Sequence, residues 1–164
     1  MSSDNSNISS VEMAVESMGL KVPTPGPAKG NYVSAVKVGD NLLHLSGHIP
    51  IKDDGSLIKG KLGSNMSIQE GYISAQTCAL QIVGTLKKVV GNLDDVERIV
   101  KIVGFVNCTD DFEQQPSVIN GASDFFVNVF GPEKGAHARS AVGTNALPLG
   151  IATEVECIVQ IKST

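Results

Sequence analysis

Arg139 sits in His137-Ala138-Arg139-Ser140-Ala141-Val142-Gly143, a strand-like run of small and apolar residues. A charge in such a run must reach an edge or meet an anion. The planar fork of arginine suits two-point contact with a carboxylate. A structural salt bridge to an acidic neighbour would use the same group, and the pattern leaves both readings open. Further on, Glu154 and Glu156 alternate with Val155 and Cys157, so the two glutamates share one strand face. Such a pair is either solvated or available for acid/base work. A short loop joins the two runs. As neighbouring strands they would bring Arg139 and Glu154 into one cleft.

His44 and His48 flank Ser46-Gly47. His44 lies inside a strand pattern and reads as packed or hydrogen-bonded. His48 follows Gly47 at a strand end, where a side chain can reach a pocket. No third ligand is spaced to make a metal site with them. The sequence has no GxSxG elbow, P-loop, HExxH or GxGxxG fingerprint. Cys78, Cys108 and Cys157 are odd in number and far apart, in or beside apolar segments. They read as reduced, buried thiols, which suits a reducing compartment.

The elements that must position these groups follow from periodicity. Residues 1–8 are Ser- and Asn-rich and are expected to fray. Ser9 and Glu12 form a capping-box pattern for a short helix from Val11 to about Met18, with Gly19 as its stop. Residues 22–30, with three prolines and two glycines, make an extended connection. Tyr32–Val38 and Leu42–Ser46 read as a hairpin, and Leu57–Lys61 as a short strand. Ser67 and Glu70 open the longest helix, about Ile68 to Val90. Its apolar stripe is Ala75, Ala79, Ile82, Leu86 and Val89. Ile99–Cys108 suits a central strand buried on both faces. Pro116 starts a second main helix, ended by Gly131, and strands at His137–Gly143 and Thr153–Ile161 close the chain.

The expected fold class is therefore α+β: a two-layer sandwich of one mixed sheet with two main helices on one face. It divides into an N-terminal extension with a short helix, residues 1–29, and a single domain over residues 30–164. Val103, Phe105, Val155 and Cys157 are read onto the sheet's other face. That face needs a cover, which predicts a homo-oligomer.

The chain has 164 residues, 41% hydrophobic and 18% charged, enough for one aliphatic core without metal or disulfide support. The net charge of −4 argues against a nucleic-acid partner. No apolar run approaches the roughly 20 residues of a membrane span. The polar N-terminus lacks a signal-peptide core, and its acidic, Arg-free start argues against a transit peptide. A cytoplasmic location is expected, with an organelle matrix also compatible.

Three separated motifs carry a resemblance. HARSAVGTNALPLGIATEVECIV is similar to the signature of the reactive intermediate deaminase family (Rid/YjgF, also called L-PSP endoribonuclease-like). YVSAVKVGDNLLHLSGHIP looks like that family's opening hairpin, and Val118-Ile119-Asn120 like its helix asparagine. The match covers about residues 30–162 in order, and the longer loops resemble a longer subgroup. The resemblance implies a chorismate-mutase-like sandwich assembled as a homotrimer with clefts between subunits. It implies hydrolysis of enamines and imines such as 2-aminoacrylate to 2-keto acids and ammonia, with no cofactor.

In that reading Arg139 grips the substrate carboxylate and Glu154 activates water. Tyr32 from an adjacent subunit, Asn120, Ser46 and the backbone at Gly47 shape the pocket. Many family members carry Gln where this chain has His48, and Cys where it has Ala141. The alternatives are a non-catalytic oligomer that binds small carboxylates, a structural or chaperone-like oligomer, and an endoribonuclease or translation inhibitor, as attributed to some relatives.

Overall fold

The computed structural model describes residues 8–163, so most of the fraying expected over residues 1–8 lies outside the described residues. The Ser9 hydroxyl accepts from the Glu12 amide and the Glu12 carboxylate accepts from the Ser9 amide, opening α1 (Ser10–Ser17). Val11 and Val15, one turn apart, are buried, so this helix packs into the core. Residues 20–29 then run without regular structure.

β1 (Ala35–Val38) and β2 (Leu42–His48) form the hairpin, with Gly39 at φ 60 in the turn. The first strand begins at Ala35 and not at Tyr32. The reason lies opposite, where β2 bulges between Leu45 and His48 and the regular ladder stops. The strand expected over Leu57–Lys61 is absent. Leu57 and Lys59 make isolated bridges to Ile51 and Ile151, and Gly60 at φ 152 breaks the extended run.

A full capping box at Ser67 and Glu70 opens α2 (Ile68–Val90). Its buried stripe passes through Ala75, Cys78, Ala79, Ile82 and Leu86. Val89, assigned to that stripe, is exposed; the stripe turns instead to Val90, which packs against the core. β3 (Val96–Asn107) starts three residues earlier than expected, because a 3-10 turn at Leu93–Asp95 feeds straight into it. Two register shifts against β5 (Thr153–Ile161) then let Val96, Ile99 and Ile102 all face inward. α3 (Gln115–Gly135) carries Pro116 in its first turn and breaks at Gly131, φ 80 and ψ 164, before a last turn opened by Pro132. β4 (Ala138–Thr144) completes the elements.

The sheet order is β1-β2-β5-β3-β4, with β3 and β4 parallel and the other pairs antiparallel. This is a mixed five-stranded α+β sandwich whose helices cover one face. Phe125 and Phe126 of α3 are fully buried, with ring centroids 6.2 Å apart and edge-to-face. Each such side chain contributes roughly 1.5–3 kcal/mol by burial.

Register fixes which side chain faces where. Ile102 pairs with Arg139 on one side and Cys157 on the other, so all three share the helix-covered face. Phe105 pairs with Val142 and Glu154, so these share the open face. Two sequence expectations are corrected here. Val155 and Cys157 are buried under the helices, and the open face instead carries Val36, Val38, Val103, Phe105 and Val142. β3 is an interior strand, but within this chain its open face is not covered: Val103 and Phe105 are partly accessible.

Candidate active site

Arg139 projects from edge strand β4 toward α3. Its Nη1 donates to Asn120 Oδ1 at 2.7 Å and to Ser123 Oγ at 3.1 Å. Asn120 and Ser123 are three apart and therefore lie on one helix face. Ser123 Oγ is also 3.0 Å from His137 Nε2, and His137 Nδ1 is 2.6 Å from the Gly135 carbonyl. A carbonyl can only accept, so Nδ1 carries the proton and Nε2 accepts from Ser123. Burial, and the nearby Arg139 charge, lower the His137 pKa against the opposing pull of its hydrogen bond to the Gly135 carbonyl. Among the described residues no acidic side chain pairs with Arg139. The guanidinium is thus half-buried, oriented by neutral groups and left with its charge uncompensated. That disfavours the salt-bridge reading.

Glu154 stands on β5, on the open face. Its carboxylate makes no hydrogen bond or ion pair among the described residues. Burial raises its pKa above the ordinary carboxylate value, and the like charge of Glu156 adds to the shift. The β2 bulge supplies its seat: a Cβ on Gly47 would overlap Glu154 Oε1. Bulges re-aim side chains and are common beside active sites. Ser46 anchors the bulge, donating from Oγ to the Val33 carbonyl at 2.7 Å and from its amide to Ser34 at 3.0 Å. His48 holds it from the other side. Its Nδ1 lies 2.7 Å from the Ser46 carbonyl and its Nε2 2.7 Å from Thr85 Oγ1. Burial lowers the His48 pKa, so the ring is a neutral tautomer donating to Ser46 and accepting from Thr85. Tyr32, 58% exposed, Ser46 and Gly47 line one end of a cavity of about 700 Å³.

The expected residues therefore fall into two groups. Tyr32, Ser46, Gly47 and Glu154 lie near the β2 bulge; Arg139 and Asn120 lie at the β4 edge. The single cleft expected from neighbouring β4 and β5 is not present within one chain. β3 separates the two strands, and their charged groups point to opposite faces of the sheet. His44, expected to be packed or hydrogen-bonded, is exposed on the open face. All three cysteines are free and buried, and burial pushes the Cys78 thiol up to about 12. Sequence reasoning missed Ser123 and Thr85. Ser123 was findable from its three-residue spacing to Asn120, whereas Thr85 carried no local signal. Among the described residues no three His, Cys, Asp or Glu side chains converge, and no helix is long and apolar enough to cross a membrane.

Comparison with known proteins agrees with this architecture. A family model described as "YjgF/chorismate mutase-like, putative endoribonuclease" matches residues 12–161. Protein TCP17 of Trypanosoma cruzi is 42% identical over 149 residues, covering 91% of this chain and 92% of its own. A solved protein of unknown function from Agrobacterium tumefaciens superposes with a TM-score of 0.86 at 32% identity, covering 93% of each chain. The crystal structure of a "putative endoribonuclease" from Shewanella oneidensis superposes with a TM-score of 0.87 at 29% identity, covering 92% of this chain and 99% of that one. Motifs, fold and overall match agree: this chain belongs to the YjgF/Rid family.

Proposed function

We propose that the protein hydrolyses enamines and imines of small 2-amino acids, such as 2-aminoacrylate, to 2-keto acids and ammonia. The observation that carries this reading is the pair of unmatched charges. Among the described residues Arg139 has no acid beside it and Glu154 no cation, and one chain holds them on opposite faces of its sheet. Each half is incomplete alone. Copies arranged around the apolar open face, in a trimer as the family resemblance implies, bring one copy's Arg139 edge to another's Gly47 bulge.

In that cleft the Arg139 fork binds the substrate carboxylate. The free enamine tautomerises to the imine. Glu154 accepts a hydrogen bond from water and draws off its proton as the water oxygen adds to the imine carbon. The C=N pair moves to nitrogen, which takes a proton. The carbinolamine then collapses to the ketone and releases ammonia. Asn120 and Ser123 hold the guanidinium, Gly47 leaves room for the carboxylate of Glu154, Ser46 anchors that bulge, and Tyr32 closes the side. Enamines and imines hydrolyse in water unaided, so orientation and one base suffice.

A carboxylate-binding oligomer without turnover would use Arg139 equally but gain nothing from Glu154, whose charge repels the ligand. The net charge of −4 gives a ribonuclease reading little support. The deciding experiment generates 2-aminoacrylate with a serine dehydratase and follows its loss. Wild type accelerates the loss; Arg139→Ala does not, while its oligomeric mass by ultracentrifugation is unchanged. Equal acceleration by both proteins would refute the mechanism.

A further inference from the structure

The cavity beside Gly47 is larger than a three-carbon imino acid fills. At about 700 Å³ it lies in the range of pockets that enclose drug-sized ligands, roughly 300–1,000 Å³. One wall is residues 21–29, which neither the hairpin nor the Arg139 edge requires. Pro23, Pro25 and Pro27 fix the backbone at every second position, so this wall is stiff and extended. It is also seated. A Cβ on Gly84, in the interior of α2, would overlap the Pro23 carbonyl oxygen. Glycine is disfavoured inside helices, and at this position it lets the wall approach.

The charge of the lining runs against that of the chain. Lys21, Lys29 and Lys52 stand around the cavity with Asp53 as the one acid, although the whole chain carries −4. Lys21 and Lys29 are exposed and form no ion pair among the described residues. The floor is neutral and already bonded: His48 to Thr85, and Gln81 Nε2 to the Ile51 carbonyl at 2.8 Å. Half-buried Val22, Ile49 and Ile51 line the stretch between floor and rim.

We propose that residues 21–29, together with Lys52, are a specificity wall that selects 2-imino acids whose long side chain ends in a second carboxylate. The inference rests on the imine-hydrolase reading of the same site. The 2-carboxylate meets Arg139 of a second copy and the imine carbon lies at Glu154, which stands on the open-face side of Gly47 and outside the cavity lining; the side chain passes Gly47 into the cavity, where its methylenes cross the apolar stretch and its distal carboxylate meets the lysines. The reaction is unchanged.

The test uses the purified protein and imines generated by an amino-acid oxidase from alanine, leucine and glutamate. Hydrolysis is read as loss of semicarbazide trapping. The expected kcat/KM for the glutamate imine exceeds that for the leucine imine by about tenfold, the effect of one charge-assisted contact. Combined Lys21→Gln, Lys29→Gln and Lys52→Gln abolishes that ratio, and Gly84→Ala, which displaces Pro23, lowers it. Equal rates on all three imines, or a ratio untouched by the lysine changes, overturns the wall and leaves imine hydrolysis standing. If no imine is hydrolysed, the functional reading falls and calorimetry decides the cavity. Tighter, lysine-dependent binding of 2-oxoglutarate than of 2-oxobutanoate supports the wall; equal binding or none overturns it.

Discussion

The Glu154 carboxylate occupies the space that a Cβ on Gly47 would need. Two residues of β2, Ser46 and Gly47, stand against Glu156 alone on β5 between the pairs Leu45–Cys157 and His48–Val155. The extra residue bends β2 over the start of β5, and its missing side chain leaves the carboxylate a seat. Gly47 does not have a positive φ, so alanine fits its backbone. The end of a glutamate can swing aside. Gly47→Ala is therefore expected to fold with a stability change below about 1 kcal/mol, as is usual for an exposed site. Loss of 2-aminoacrylate is expected to slow about 100-fold, the scale of a 1 Å misplacement. Thermal unfolding and the dehydratase-coupled assay on one preparation separate the two effects.

Ser123 links Arg139 to His137. Removing its hydroxyl leaves the guanidinium with Asn120 as its single anchor. Ser123→Ala is expected to raise KM for 2-aminoacrylate about two- to tenfold, the worth of one hydrogen bond. Ser123→Thr, which keeps the hydroxyl, is expected to restore it. Steady-state kinetics of the two variants distinguish positioning of Arg139 from simple packing.

Most elements were legible because each carries a local signal. Both capping boxes, the Pro116 start and the Gly131 break stand where the sequence sets them. Arg139 and Asn120, named from two separate motifs, do meet in the fold. Long-range facts were not legible. Strand order depends on which edges pair, and nothing local says that β3 inserts between β4 and β5. Face assignment failed at Val155 and Cys157 because an apolar residue fits either side of a sheet whose open face is itself apolar. The bulge at Ser46-Gly47 showed only as a glycine, and its meaning depends on a side chain more than 100 positions away.

Burial disfavours the charged form of both His48 and His137, and each ring accepts a hydroxyl hydrogen bond that it must give up on protonation. Their folded pKa values lie below the ordinary histidine value of about 6.5, so near that pH the unfolded chain binds more protons. The stability they contribute is present above that value and is lost as pH falls through and below it. His48→Gln keeps both partners, since its amide donates to Ser46 and its oxygen accepts from Thr85. Between pH 7.5 and 5.5 the Tm of this variant is expected to fall less than that of wild type. Parallel slopes in calorimetry would remove His48 from the acid response.

Glu154 titrates in the opposite sense, and this separates a base from a structural acid. Burial, and then Glu156, hold its folded pKa above the unfolded value. Its contribution to stability is complete below the unfolded pKa and is lost as pH rises through the folded one. At neutral pH the carboxylate is therefore a stability cost, retained at the seat that Gly47 provides. The proposed hydrolysis uses that ionised form, so the acid limb of the kcat profile is expected above the ordinary glutamate value. Glu154→Gln is expected to abolish the limb and lower kcat about 10²- to 10⁴-fold, the usual contribution of a general base. The same change is expected to raise Tm at pH 7.5 and leave it nearly unchanged near pH 4. A variant that is slower yet more stable fits a carboxylate kept for chemistry. If Glu154→Gln lost stability at pH 7.5 and kept its rate, Glu154 would be a structural acid and the water would need another base.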